Sequence, residues 1–240
     1  MSRNTLLIGL ILLVVVLGGG GFWLYNTVLG ETEAASGPIT AVPLDLSSAP
    51  TSAPEPTAAA ASAPLRYQIV QSGSQVRFQL DELLNGSPFT VVGSTDQVAG
   101  ELALASDDLG GAQIGVITIN ARTLATDSDR RDRAIRNVVL STDSYEFITF
   151  TPTAINGLSG SGEPGQSYSF EIVGDLTIRD VTLPVVFTAQ VTAESAERLI
   201  GSATTTINRN DYGLVIPDVP FVANVSEDVI LTIDFVAEAV

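Results

Sequence analysis

Residues 167–191 read SYSFEIVGDLTIRDVTLPVVFTAQV. In its two runs, Ser167–Ile178 and Val181–Val191, apolar side chains recur at every second position, which is the period of a β-strand with one buried face. The same alternation continues through the chain from Leu65, with turn signals between about eight or nine runs. The sequence therefore predicts an all-β domain, either an antiparallel sandwich or a barrel. Further runs are QVRFQLDE (75–82), QVAGELAL (97–104), VITINA (116–121), LIGSATTTIN (199–208) and DVILTIDFVA (228–237).

Composition limits the chemistry that the chain can perform. Its 240 residues include no His, Cys or Lys, and its formal net charge is −16. The usual general base, the common nucleophile systems, the common zinc ligands and Schiff-base chemistry are therefore excluded. The negative charge disfavours nucleic acid, because binding to nucleic acid depends on neutralising phosphates with Lys and Arg.

The first 64 residues are predicted to precede the folded domain. Thr5–Leu29 carries no charge and is long enough to cross a bilayer as a helix. Arg3 precedes this stretch and acids follow it, so we expect a single-pass anchor in the cytoplasmic membrane, with the N-terminus inside and the domain outside. A cleaved signal peptide is the alternative, and it would give a secreted protein. We divide the chain into an anchor (1–30), a disordered linker rich in Pro, Ala, Ser and Thr (31–64), and a β domain (65–240).

Three motifs with possible chemistry have simpler interpretations. Gly157–Gly165 has the G-x-G-x-x-G spacing of dinucleotide sites, but a strand-like run follows it, so we predict a hairpin loop. Asp127-Ser-Asp129 begins like a calcium loop but continues with Arg. Neighbouring carboxylates such as Asp81-Glu82 point to opposite faces of a strand, and we expect them to be solvated. No metal site is predicted.

A short amphipathic helix is predicted from Asp127 to about Leu140, in DSDRRDRAIRNVVL. At 100° per residue, Arg131 falls in the apolar stripe, one turn before Ile135. The other three arginines of this segment lie off the stripe and are predicted to be solvated: Arg130, Arg133 and Arg136.

Several motifs, in one order along the chain, resemble the signature of the YceI-like family. The first has Thr126 before Arg131-Asp132 and Ile135, with Tyr145 and Phe150 in the following strand. Two departures from the family pattern stand out: Glu146 occupies a position that is often proline, and Asp81–Thr95 is longer than usual. The other matching residues are Gly174-Asp175-Leu176-Thr177-Ile178, Val181-Thr182, Pro184-Val185, Asn208-Arg209 and Asp211-Tyr212-Gly213.

The resemblance implies an exported, lipocalin-like antiparallel barrel of about eight strands that binds a polyisoprenoid or similar amphipathic lipid and catalyses nothing. It implies no required cofactor, although an isoprenoid lipid or quinone is expected as ligand. The other expected partner is the cytoplasmic membrane, and a homodimer is one possible assembly. The residues that we expect to line the ligand site are Phe78, Leu80, Leu102, Leu104, Ile117, Ile119, Arg131, Ile135, Phe150, Phe170, Ile172 and Phe187.

Three questions stay open at the level of sequence. The inward apolar residues could fill a solid sandwich, which would suit an adhesion or assembly module that binds another protein. A carboxylate-dependent hydrolase would require two buried carboxyl groups facing each other across a cleft. Arg131 could bind the polar head of a ligand, or it could pair with Asp127 or another acid at the barrel mouth.

Overall fold

The computed structural model describes residues 30–44 and 63–240. Within these residues the chain forms one antiparallel sheet of 13 strands and one short α-helix, α1, at Asp129–Ala134. The strands are β1 Leu65–Ile69, β2 Gln75–Leu84, β3 Ser87–Thr95, β4 Val98–Ala99, β5 Glu101–Ala105, β6 Asp108–Ile114, β7 Ile117–Asn120, β8 Phe147–Asn156, β9 Ser167–Ile178, β10 Val181–Ser195, β11 Arg198–Asn208, β12 Val222–Ala223 and β13 Asp228–Ala239.

The strand pairings curl the sheet into a barrel. β7, β8, β9, β10, β11 and β13 pair in succession. β13 then pairs with both β1 and β2, which pair in turn with β5 and β3. β4 lies between β3 and β5 in the chain and pairs with β7, so the ring closes. The predicted all-β antiparallel architecture is therefore confirmed as one curled sheet, whose strand path runs from β4 to β6.

The barrel wall depends on close contacts between aromatic rings and glycine backbone. A Cβ on Gly93 would lie 2.1 Å from Cε1 of Phe78, its cross-strand partner. A Cβ on Gly174 would lie 2.5 Å from the carbonyl oxygen of Thr151. A side chain at Gly174 would therefore force β8 and β9 apart, and one at Gly93 would require the Phe78 ring to move.

The two ends of the barrel are built differently. At one end, α1 and the π-helical turn that follows it, Ile135–Val139, pack over the interior. Leu124 and Leu140 join the buried core there, and we call this the capped end. At the other end lie the β5–β6 turn, residues 157–166 between β8 and β9, and the β10–β11 turn. We call this end the mouth.

Residues 30–44 run along the outside of the barrel without regular secondary structure, and we call them the strap. Gly30 accepts a hydrogen bond from Nδ2 of Asn137 at 2.9 Å, and Glu33 pairs with Arg122 at 2.9 Å. At its far end, the Leu44 N–H donates to Oε2 of Glu101 at 2.9 Å. This first part of the predicted linker is therefore docked on the domain rather than free, because barrel side chains supply partners for its polar groups.

The predicted anchor, Thr5–Leu29, lies outside the described residues, as does the linker from 45 to 62. Among the helices of residues 30–44 and 63–240, none is long and apolar enough to span a bilayer.

Candidate ligand-binding cavity

The barrel interior contains an apolar chamber of about 140 Å³. Alternate residues of β7 to β11 and β13 point into it, because the strand period sends every second side chain inward. Thr232 is the only polar residue among the described residues that line it. The lining, which we call the inner chamber, includes Ile69, Val76, Leu102, Ile114, Ile117, Ile119, Leu124, Ile148, Phe150, Phe170, Ile172, Leu176, Ile178, Phe187, Ala189, Val191, Ala203, Leu231, Ile233 and Phe235.

A second chamber of about 260 Å³ lies at the mouth, and we call it the outer chamber. It combines apolar walls with a polar rim that includes Gln113, Glu163 and Tyr168. The predicted hairpin loop is confirmed between β8 and β9, and part of that loop lines this chamber. Four side chains line both chambers, and we call the boundary that they form the constriction: Leu102, Ile114, Phe170 and Val191.

The two chambers together suit a narrow amphipathic ligand. Pockets for small ligands usually measure about 300–1,000 Å³, so neither chamber alone reaches that range. A chain that passed through the constriction would occupy both. Its apolar part would meet hydrocarbon in the inner chamber, and a polar group would remain at the rim of the mouth.

Eight of the twelve predicted ligand-site residues line these chambers. Their contact with a ligand stays a prediction. The eight residues are Leu102, Leu104, Ile117, Ile119, Phe150, Phe170, Ile172 and Phe187.

The other four, Phe78, Leu80, Ile135 and Arg131, line neither chamber. Phe78, Leu80 and Ile135 are partly buried and pack against the hydrophobic core. Strand alternation correctly gave the inward face of β2, but it does not tell how far along the barrel axis an inward residue lies, and therefore whether it reaches a chamber.

Arg131 makes two ion pairs at the capped end. Its guanidinium contacts Asp127, and its Nη2 lies 3.1 Å from Oε1 of Glu82. The ring of Phe89 lies 5.5 Å below the guanidinium carbon. The geometry matches the structural role that the sequence left open for Arg131. The expectation that Glu82 is solvated is wrong, since Glu82 is 7% exposed and Arg131 compensates its charge.

Some lining residues were not singled out from the sequence. Ile233 and Phe235 alternate in β13 and could have been found by the rule that found Phe170 and Ile172. Tyr67 lines the outer chamber and donates from Oη to the carbonyl of Ala196 at 2.7 Å. Burial raises the pKa of Tyr67, and the charge of Glu197 raises it further, so the hydroxyl stays neutral at the mouth.

The strap covers a polar cluster on the barrel wall. Glu146 accepts hydrogen bonds from the N–H and Oγ of Ser36 at 2.7 and 2.9 Å and from Nδ2 of Asn120 at 3.0 Å. Arg122 lies 3.3 Å from its other oxygen. Burial by itself would raise the pKa of Glu146, but these bonds and the Arg122 charge outweigh burial and hold the pKa below its usual value.

A further cleft of about 550 Å³ lies between the strap and the wall. It is larger than either chamber, but Gln68, Gln71, Asp96 and Gln97 give it polar walls. An apolar chain would desolvate these groups without replacing their hydrogen bonds. The inner and outer chambers are therefore the better candidate site.

A barrel that encloses an apolar chamber behind a polar mouth has the architecture of a lipocalin-like binding protein. The model of the YceI-like domain matches residues 67–237. The chain therefore belongs to the YceI-like family. No curated protein matches the chain.

Solved structures share the fold at low sequence identity. A polyisoprenoid binding domain from Saccharophagus degradans, implicated in plant cell wall breakdown, has a TM-score of 0.58 and 17% identity, and the match covers 73% of this chain and 99% of that one. BcnA of Burkholderia cenocepacia has a TM-score of 0.53 and 17% identity, covering 70% and 98%. The YCEI protein of Campylobacter jejuni has a TM-score of 0.50 and 19% identity, covering 61% and 83%.

Proposed function

We propose that the barrel binds the hydrocarbon chain of an isoprenoid-type amphipathic lipid, such as a prenyl quinone, and carries out no chemistry on it. The apolar inner chamber is the observation that carries this proposal. The polyisoprenoid-binding relative supports the same ligand class. The solid adhesion module is disfavoured, because its interior would be filled.

The proposed energetics require only hydrocarbon contacts. Burying ten prenyl carbons contributes about 8 kcal/mol before association costs. Those costs are about 4–15 kcal/mol for lost rigid-body freedom, so a chain of only a few carbons would bind weakly. We therefore propose that affinity rises with chain length until both chambers are filled, while the head group stays at the mouth.

We also propose that the domain works outside the cytoplasmic membrane, tethered by Thr5–Leu29. The charge-free length of this segment and the acids that follow it support the proposal. In this arrangement the lipid is taken from, or delivered to, an extracytoplasmic site while its hydrocarbon chain stays inside the barrel.

Native mass spectrometry of protein isolated from its own membranes tests the ligand, followed by uptake of a prenyl quinone by delipidated protein. Val191→Phe should block the constriction and abolish uptake of long chains. Val186→Phe is the matched control, because Val186 lies on the exposed face of the same strand and should bind normally. Absence of both co-purified lipid and quinone uptake, or equal uptake by the two variants, would contradict the proposal.

A further inference from the structure

An exposed apolar loop precedes β12. Val215, Val219 and Phe221 are 69%, 44% and 75% exposed. Phe221 also has a φ of +76°, a conformation that costs energy for a bulky residue. The fold thus holds a large aromatic side chain in water in a strained backbone conformation, which is characteristic of a contact surface.

This loop lies at the capped end. Val222 pairs with Leu84 in the β2–β3 hairpin, and the carbonyl of Phe221 accepts a hydrogen bond from the N–H of Asn85 at 2.7 Å. The same hairpin carries Glu82, which holds Arg131 of α1. The loop and α1 are therefore joined through one hairpin, within the segment that is longer than the usual family pattern.

α1 presents positive charge at this end. Arg130 and Arg133 are exposed, and neither has a charged or hydrogen-bonding partner within residues 30–44 and 63–240. Two acids are exposed on the same surface, Asp129 beside these arginines and Asp218 in the loop itself, whereas Asp132 is buried and bonded to Thr126. The chain has a net charge of −16, so two exposed arginines without a partner on one short helix are unusual.

The strap brings the start of the domain to the same end. Gly30, the residue after Thr5–Leu29, is bonded to Asn137, directly after α1. The bonds of Glu33 to Arg122 and of Ser36 to Glu146 then fix the strap on the wall. If the chain left the bilayer at Leu29, no spacer residue would separate the bilayer from Gly30, which is bound at the capped end. Glu146, which departs from the family pattern, is one of the residues that fix it.

We propose that the capped end docks on an anionic lipid surface, with Phe221 in the interface and Arg130 and Arg133 near the head groups, so that the mouth faces away from the membrane. This inference rests on the proposed membrane anchor and not on lipid binding in the barrel. Aromatic rings favour the bilayer interface, and basic side chains are attracted to anionic lipids. The occupant is a lipid surface because both chemistries meet where the anchor ends.

The test uses the full chain reconstituted in liposomes. Because the chain has no cysteine, an environment-sensitive dye can be attached singly in Val219→Cys or, at the mouth, in Ser161→Cys. In phosphatidylglycerol liposomes the dye at position 219 should emit at shorter wavelength and be quenched by doxyl lipids, whereas the dye at 161 should report water. Quenching at 161 instead of 219, or at neither position, overturns the inference. The inference is also overturned if the dye at position 219 becomes buried only when another protein is added, because the loop would then bind a protein partner.

Charge variants supply the second measurement. Arg130→Gln and Arg133→Gln should each reduce the ratio of docked to undocked domain by about fivefold. Replacing phosphatidylglycerol with phosphatidylcholine should also reduce this ratio. Arg198→Gln, at the mouth, is the matched control and should change nothing. An equal effect of Arg198→Gln would show that net charge alone matters and would refute the local contact. Loss of liposome flotation would overturn the anchor and this orientation together, while quinone uptake by the same samples reports separately on the barrel.

Discussion

The inner chamber predicts the sign of the stability change in Ala189→Leu. Ala189 lines the chamber and is 1% exposed, between Phe170 and Ala203 on the neighbouring strands. Leucine adds three carbons, and their burial in an empty chamber would stabilise the lipid-free barrel by about 2 kcal/mol. In a packed interior the same change would cost about 1–3 kcal/mol through overpacking.

The same substitution should weaken lipid binding. The new side chain displaces about three carbons of the bound chain, which corresponds to roughly a 50-fold loss of affinity. Urea unfolding followed by far-UV circular dichroism measures the first effect, on delipidated protein. Titration with a prenyl quinone measures the second.

Ala237→Leu is the matched control. Ala237 is fully buried in a cluster with Tyr67, Leu199 and Phe235, and it lines neither chamber. Leucine should destabilise the domain there and leave quinone affinity nearly unchanged. If Ala189→Leu lost as much stability as Ala237→Leu and bound quinone normally, the chamber would not be the ligand site.

Two further predictions concern polar contacts outside the chambers. Arg131→Ala should cost about 3 kcal/mol in urea unfolding, because it leaves Glu82 buried without its counter-charge. Adding Glu82→Gln should recover most of that loss, and a fall in quinone affinity at unchanged stability would instead support head-group binding. For Glu146, the lowered pKa means that its contribution to strap docking is complete above the usual value of 4.5 and is lost as pH falls through the lower, folded-state pKa. The protection factor of the Ser36 amide, which is the intrinsic exchange rate divided by the observed one, should fall in that acidic range in the natural chain. In Glu146→Gln it should be insensitive to this titration, and equal pH profiles would refute the coupling.

Local sequence patterns predicted the barrel because strand formation and the inward face depend mainly on alternation. Phe150, Ile172 and Phe187 line the chamber for that reason. Helix phase also placed Arg131 correctly, off the exposed face that holds Arg130 and Arg133. The expectation that Arg136 is solvated is wrong, because Arg136 is half-buried and its Nη1 donates to the carbonyl oxygen of Leu124 at 3.0 Å. The order of family motifs then separated a barrel from a sandwich, which alternation alone could not do.

The structure differs from the sequence-based expectations where a property depends on distant residues. Phe78 was expected at the ligand and packs instead on the core and on Gly93, because the height of a residue depends on strand register. Glu82 was expected in water and is buried, because Arg131, 49 residues away, supplies its partner. The strap looked unable to fold because its own residues form no core, yet Arg122 and Glu146 bind it.

By itself, the sequence determined the β architecture, the short helix and the family, because each depends on residues that are close together in the chain or that occur in a fixed order. Tertiary structure alone decided that the interior is hollow, that Arg131 serves the cap, and that residues 30–44 lie against the wall. Cavity volume is a small difference between large packed volumes, and an ion pair needs two chain segments to meet. Neither quantity can be read from the period of a single strand.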